Sequence, residues 1–348
     1  MKKKTDLINK EKEKRNILSI LHFSDIHFGD DSAQVDETRK GDFSNLFANF
    51  KLKLNKIIEK EDINLILITG DISSKSSLFP KKKLSLADKI GKIIRRKRED
   101  SFTSIKLPEY LEEFIEIFSL KRIPILITIG NHDLIRKSND RKRFYLLIYE
   151  LLEDRLHVKK SKNFQENLIN YYHLKEDKIL FFSVDTTFSL SERGNWEDAN
   201  IDLARIDNFF KEMNNQGYYD IENYLIFLIT HHSLGDIPNN KSVLIGLAER
   251  NIKIVFSGHI HDRKKDLIDI PDSKYNLLNY IAGSPLISKK KREEGYGWNL
   301  KSLQFNHYKI YLDGSSKLQA YYYELDSNDN WKRRDLDQDS LDKYHQNS

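Results

Sequence analysis

The chain has 348 residues and no cysteine, which excludes disulfides, thiolate metal sites and cysteine nucleophiles; any bound metal must be held by nitrogen and oxygen. Apolar residues make up 39% and charged residues 32%, with a mean hydropathy of -0.62, so a sizeable core sits under a polar surface and wholesale disorder is excluded. The net charge of +5 is unevenly spread: residues 75–106 hold eleven Lys/Arg against three Asp/Glu, a local balance of +8 that leaves -3 for the rest.

Residues 1–15 form a basic N-terminal tail that leads into a strand rather than a signal-peptide core. No apolar run reaches membrane-spanning length, so a cytoplasmic protein without membrane contact is the expectation. In chain order, ILSILHFS (17–24), LILIT (65–69), IPILITI (123–129), KILFFSV (178–184), YLIFLIT (224–230) and IKIVFS (252–257) are short apolar runs that stop at polar or Gly-containing sequence, as buried strands do. Between them, Phe43, Leu46, Phe47, Phe50, Leu54, Ile57 and Ile58 follow a helical period, and so do Leu111, Phe114, Ile115 and Phe118 after Pro108. FYLLIYELL and LARIDNFFKEM read the same way. Strands alternating with helices predict a largely parallel sheet. Further on, LNYIAGSP, SLQFNHYKIYLDG and KLQAYYYEL have strand composition with turns and no helices between them, which predicts a second, more antiparallel sheet. The main domain is thus placed at 16–325, with a basic insertion at 72–107 and a polar tail at 326–348 that is expected to fray.

In open α/β sheets ligands bind beyond the carboxyl ends of the strands. There the sequence carries Asp25-Ile26-His27, then Gly70-Asp71, then Gly130-Asn131-His132-Asp133, then His231-His232, then Gly258-His259-Ile260-His261. Imidazole, carboxylate and amide oxygen suit borderline divalent ions, with Mn²⁺ first and Fe²⁺ or Zn²⁺ as alternatives; Mg²⁺ favours fewer histidines. A pair of ions needs a bridging carboxylate, for which the central Asp71 is the candidate. Asp25 and His27 alone would be better read as a turn at a strand exit. Five blocks in order reverse that reading.

These blocks resemble the calcineurin-like metallophosphoesterase superfamily, whose pattern runs D-x-H, G-D, G-N-H-D/E, a strand-end His, then G-H-x-H. The resemblance covers residues 17 to about 265. It implies a four-layer α/β/β/α sandwich of two mixed sheets with a dinuclear metal site at the strand C-terminal edge. It also implies that Asp25, His27 and His261 hold one metal, that Asn131, His231 and His259 hold the other, and that Asp71 bridges. His132 would protonate the leaving oxygen, with Asp133 orienting its imidazole. Ser233 stands where the family often has Pro, which leaves His231 against His232 open, the former being favoured. The expected reaction is hydrolysis of a phosphodiester by attack of a metal-bridging hydroxide.

The motifs are shared by cyclic-nucleotide phosphodiesterases and by nuclease subunits of double-strand-break repair complexes; the latter would bring an ATPase or other protein partner. The basic insertion favours DNA or RNA as substrate, because concentrated positive charge at the catalytic edge draws in a polyanion. Arg136, Lys137, Arg141, Lys142 and Arg143 add to it. An ordinary amphipathic helix with a solvated face is an equal reading of KKKLSLADKIGKIIRRKRED. A small-molecule (cyclic) nucleotide phosphodiesterase and a non-catalytic nucleic-acid or partner-binding scaffold are the alternatives. His22 is expected to be a buried structural histidine; His157, His173 and His307 carry no supporting pattern. His232 is read equally as a substrate contact or a backbone partner.

Overall fold

The structure, a computed structural model, describes residues 17–28, 43–72, 109–134, 143–190, 199–217, 223–238, 240–270, 276–286, 289–291, 298–300, 303–312, 317–326, 328 and 330–340. The tail 1–15, nearly all of the insertion 72–107 and the basic positions 136–142 lie outside the described residues.

Each apolar run forms the expected strand. In chain order these are β1 (Ile17–Phe23), helix α1 (Phe43–Lys60), β2 (Leu65–Thr69), α2 (Glu109–Ser119), β3 (Ile125–Thr128), α3 (Arg143–Leu156), β4 (Lys159–Lys160), α4 (Phe164–Asn167) and β5 (Asn170–Leu174). There follow β6 (Ile179–Ser183), α5 (Leu203–Asn215), β7 (Leu225–Ile229), α6 (Asn240–Glu249), β8 (Ile252–Ser257), β9 (Lys264–Asp269) and β10 (Asn276–Ile281). The chain ends with β11 (Lys289–Lys291), β12 (Trp298–Leu300), β13 (Gln304–Tyr311), β14 (Lys317–Leu325) and β15 (Trp331–Ser340). Among the described residues no helix is long and apolar enough to cross a membrane.

Two mixed sheets result, in the orders β15-β14-β13-β1-β2-β3 and β4-β5-β6-β7-β8-β10-β9, with a separate β11-β12 pair. The central strands β1, β2 and β3 are parallel, as are β6, β7, β8 and β10. Alternation along each strand sorts side chains into layers. Leu65 and Leu67 face the second sheet, while Ile66 and Ile68 face helices α1 and α2. On the second sheet Phe227 and Ile229 point inward, and Ile226 and Leu228 meet the residues of α5 and α6. The result is the α/β/β/α sandwich that the resemblance implies. Its inner layer carries a ladder of stacked rings across four neighbouring strands: Phe181 on Phe227 at 4.4 Å, Phe227 on Phe256 at 5.7 Å and Phe256 on Tyr280 at 5.8 Å. Helix α5 starts at Asp202, whose carboxylate accepts the Ala204 and Arg205 N–H groups.

Two expectations are corrected. The C-terminal strands do not form a sheet of their own: β13 and β14 extend the first sheet antiparallel to β1, and β10 joins the second sheet parallel to β8. Residues 331–340, read as part of a fraying tail, form the edge strand β15. Trp331 anchors it against Phe50 and Phe305 at 5.6 and 5.2 Å, and Lys265 grips Asp339 at 2.8 Å from the facing sheet. The polar composition is that of an edge strand, with a solvated face and charge that blocks further pairing.

Candidate metal centre

All five sequence blocks arrive at one place because the parallel strands β1, β2, β3, β7 and β8 end at the same edge. Beyond β1 and β2 the two exits run together: Asp25 N–H donates to Gly70 O, His27 N–H to Asp71 O and Phe28 N–H to Ile72 O. Asp25, His27, Asp71, His259 and His261 all adopt left-handed backbone, with φ between 49° and 74°. Asp and His tolerate this region better than most residues, yet each instance still costs on the order of 1 kcal/mol. The surrounding hydrogen bonds hold these residues there. Gly70 takes a φ of +80°, in keeping with a tight turn. At Gly258 the requirement is different: an added Cβ would lie 1.6 Å from Ser24 Oγ, so only glycine lets β8 end against β1.

The donors form two sets around Asp71. In one, His27 Nε2 faces His261 Nε2 at 3.3 Å, and Asp25 Oδ1 lies 3.3 Å from His261 Nε2 and 3.9 Å from His27 Nε2. In the other, His231 Nε2 is 3.0 Å from Asn131 Oδ1 and 3.3 Å from His259 Nδ1. Asp71 Oδ2 lies between them, 3.8 Å from His27 Nε2 and 3.4 Å from His231 Nε2, while Oδ1 accepts the His132 N–H at 2.7 Å. His231 Nδ1–H donates to Thr69 O at 2.7 Å, which directs Nε2 at the carboxylate.

Asp25 and His231 are 0% exposed and Asp71 is 1% exposed, whereas His259 is half-buried and the His261 and His132 side chains are 23% and 25% exposed, His132 with Nε2 3.9 Å from Asp71 Oδ2. Asp133 Oδ2 accepts the Gly130 N–H at 2.9 Å and closes the turn that carries His132. Asp25 Oδ2 also accepts the His259 N–H at 2.9 Å. Further supporting contacts come from residues the sequence did not single out: Ser284 Oγ donates to Asp25 O, and Ser24 Oγ donates to Thr69 O. Lone serines carry no pattern that marks such a role.

The electrostatics favour a cation. Burial pushes the His27 imidazole down to about 3 despite Asp71, and burial with His231 beside it pushes His259 down to about 4. Both are therefore neutral, the form that ligates. Burial acts against charge on His231 too, but Asp71 outweighs it and raises His231 to about 9. For Asp71 and Asp25 burial is likewise outweighed, chiefly by His231 and His261 respectively, and both carboxyls are held below their usual range. Two buried carboxylates thus share a pocket with opposed imidazole nitrogens, and Asp25 Oδ1 accepts no hydrogen bond among the described residues. Donor atoms of Asp25, His27 and His261 lie within 4.8 Å of one another, as do those of Asp25, Asp71 and His231. An oxygen- and nitrogen-only set with this spacing fits divalent ions.

A two-sheet sandwich with a buried Asp/His centre of this make at the carboxyl edge of its parallel strands defines a metal-dependent hydrolase class. The sequence profile of the calcineurin-like phosphoesterases matches residues 18–263, and the chain belongs to that family. Metal-dependent phosphoester hydrolysis is the chemistry of that membership. Among solved structures, a dimetal phosphatase from Danio rerio is 10% identical with a TM-score of 0.50, covering 87% of this chain and 95% of that one. GAP50, the anchor in the inner membrane complex of Plasmodium, is 11% identical (TM-score 0.45, 94% and 93% covered), and a 5'-nucleotidase from Candida albicans is 13% identical (0.44, 90% and 52%). At such identities the likeness is one of fold. No curated protein sequence matches the chain.

Proposed function

We propose that the chain is a two-metal phosphodiesterase acting on nucleic acid, with Mn²⁺ as the preferred ion. In this reading Asp25, His27 and His261 hold one ion, Asn131, His231 and His259 hold the second, and Asp71 serves both. The observation that carries it is the position of Asp71 Oδ2, within 3.8 Å of one histidine set and 3.4 Å of the other. When bound, divalent ions supply Lewis acidity that activates water and neutralises phosphate charge. The protein does the rest. Left-handed backbone and the Ser24, Ser284 and Thr69 contacts fix the donors before the ions arrive. His132, a partly exposed imidazole beside Asp71 and outside both donor sets, gives its proton to the leaving oxygen, and Asp133 holds the turn that carries it.

Nucleic acid as substrate is supported by charge: the +8 segment 75–106 follows closely on Asp71 and Ile72 in the sequence. The test is the salt dependence of binding and turnover on labelled DNA and RNA against cyclic nucleotides and aryl phosphodiesters. A steep fall in affinity with salt, lost when Lys81, Lys82, Lys83, Arg95, Arg96, Lys97 and Arg98 are neutralised, is expected. Shallow dependence with turnover of cyclic nucleotides would favour the small-molecule reading instead.

A further inference from the structure

The seven donors leave one buried imidazole at the centre without a task. His232 follows His231 at the exit of β7 and is 0% exposed. Its Nδ1 lies 2.8 Å from Thr186 Oγ1, and its backbone N–H donates to the same oxygen at 3.4 Å. Its other ring nitrogen, Nε2, is buried and makes no hydrogen bond among the described residues. Consecutive residues of a strand point to opposite faces, but the chain has left β7 here, so both rings reach the same side. The His232 ring centroid is 4.8 Å from that of His231 and 4.6 Å from that of His259. One donor atom from each of these three residues lies within 4.8 Å of the other two. Imidazole nitrogens about 2.0–2.1 Å from a common ion are separated by no more than roughly 4 Å, so modest ring rotation closes the set.

We infer that His232 is an additional ligand of the ion held by His231 and His259, with Thr186 fixing its ring; the inference rests on the two-ion reading above. The tautomer decides between roles. If Thr186 Oγ1 donated to Nδ1, the proton would sit on Nε2, a buried donor with no hydrogen-bond partner among the described residues. With Nδ1–H donating to Thr186 Oγ1, Nε2 is the nitrogen that keeps a lone pair for an ion. A histidine ligand held through its other ring nitrogen is the usual arrangement around protein-bound metals. The outcome is an asymmetric centre, one ion held by two imidazoles and the other by three. The richer set disfavours Mg²⁺ at that position and favours Mn²⁺, Fe²⁺ or Zn²⁺. It also accounts for both members of the His231-His232 pair, which sequence reasoning treated as alternatives.

The test uses the full chain and its His232→Ala, His232→Gln and Thr186→Val variants, with folding checked by circular dichroism. Zn²⁺ and Co²⁺ affinities are measured by competition with a chromophoric chelator, and the Co²⁺ visible spectrum is recorded. Wild type should take up two ions. The His232 variants should bind one of them about 100-fold more weakly with the other unchanged, their Co²⁺ band should shift with the lost nitrogen, and Thr186→Val should weaken the same ion about tenfold. Should His232→Ala fail to fold, His232→Gln and Thr186→Val carry the same comparison. Folded variants that match wild type in both affinities and spectrum overturn the assignment alone. A wild type that binds no ion overturns it together with the two-ion reading.

Discussion

Two histidines five residues apart on the same stretch of chain separate the inner layer of the sandwich from its working edge. His22 is 0% exposed and lies between the sheets against Phe256 and Tyr308; its Nε2 meets Thr69 Oγ1 at 3.0 Å and its Nδ1 meets the Tyr308 hydroxyl at 3.3 Å. His27 is 3% exposed, yet its Nε2 faces His261 Nε2 and two carboxylates. Burial pushes both imidazoles down to about 3. Neither burial nor titration distinguishes them. What differs is the company each ring keeps: His22 has a hydroxyl partner for each nitrogen, whereas His27 sits at left-handed φ with Nε2 turned toward a second imidazole and two carboxylates. The ring between the sheets is held by hydroxyls, whereas the edge concentrates carboxylates and imidazoles, the donor types that hold a divalent cation.

The comparison can be broken most forcefully at Asp71. Asp71→Asn removes one charge from the carboxylate that lies between both sets and should lower kcat on the order of 10⁴-fold, with a folded variant verified by circular dichroism. Next, His132→Ala should cut kcat about 100- to 1,000-fold with both ions retained. Its effect should shrink on aryl esters, whose leaving groups need no proton. The pair His22→Ala and His27→Asn sharpens the contrast directly. The first leaves Thr69 and Tyr308 facing a cavity and should cost about 2–4 kcal/mol in stability with ion affinity unaltered. The second keeps a residue suited to left-handed φ and should lose ion affinity with stability changed by less than about 1 kcal/mol.

Titration gives a further check on the interior. Burial pushes His307 to about 3 as well as His22, so the unfolded chain binds protons at these positions that the folded chain refuses. Stability is full above about pH 6.5 and declines as pH falls towards 3, with a slope of up to about 1.4 kcal/mol per pH unit for each histidine. Urea melts between pH 7 and 5 should show this decline, and His307→Gln should flatten it. The smallest expected effect is at a helix end: Asp202→Ala should cost about 1 kcal/mol by freeing two N–H groups of α5, with turnover unaltered.

The edge was legible in the sequence because each candidate block follows an apolar run whose length and abrupt end mark a buried strand; LILIT-Gly70-Asp71 and IKIVFS-Gly258-His259 are instances. What did not show was partner choice among strands. QFNHYKIY pairs with β1 through Ile17 opposite Tyr311, a contact spanning nearly the whole chain, and nothing local in either segment specifies it. WKRRDLDQDS looked like a tail because its stabilising contacts are made by Trp331 under α1 and by Arg333, which lies over Tyr321 and pairs with Glu61 at 3.0 Å. Helix α6 escaped notice because NKSVLIGLAE lacks a clean polar face: Val243, Leu244, Gly246 and Leu247 are all buried. Within the site, Thr186 and Ser284 could not be picked out, since a hydroxyl gains its role from what the fold brings beside it.

The most direct test of the central claim is Mn²⁺ loading of wild type and Asp71→Asn followed by electron paramagnetic resonance and metal analysis. Two Mn²⁺ per chain with an exchange-coupled spectrum in wild type, replaced by an uncoupled signal in Asp71→Asn, is the predicted result. Uncoupled or absent Mn²⁺ in the wild-type protein would contradict a dinuclear centre built on Asp71.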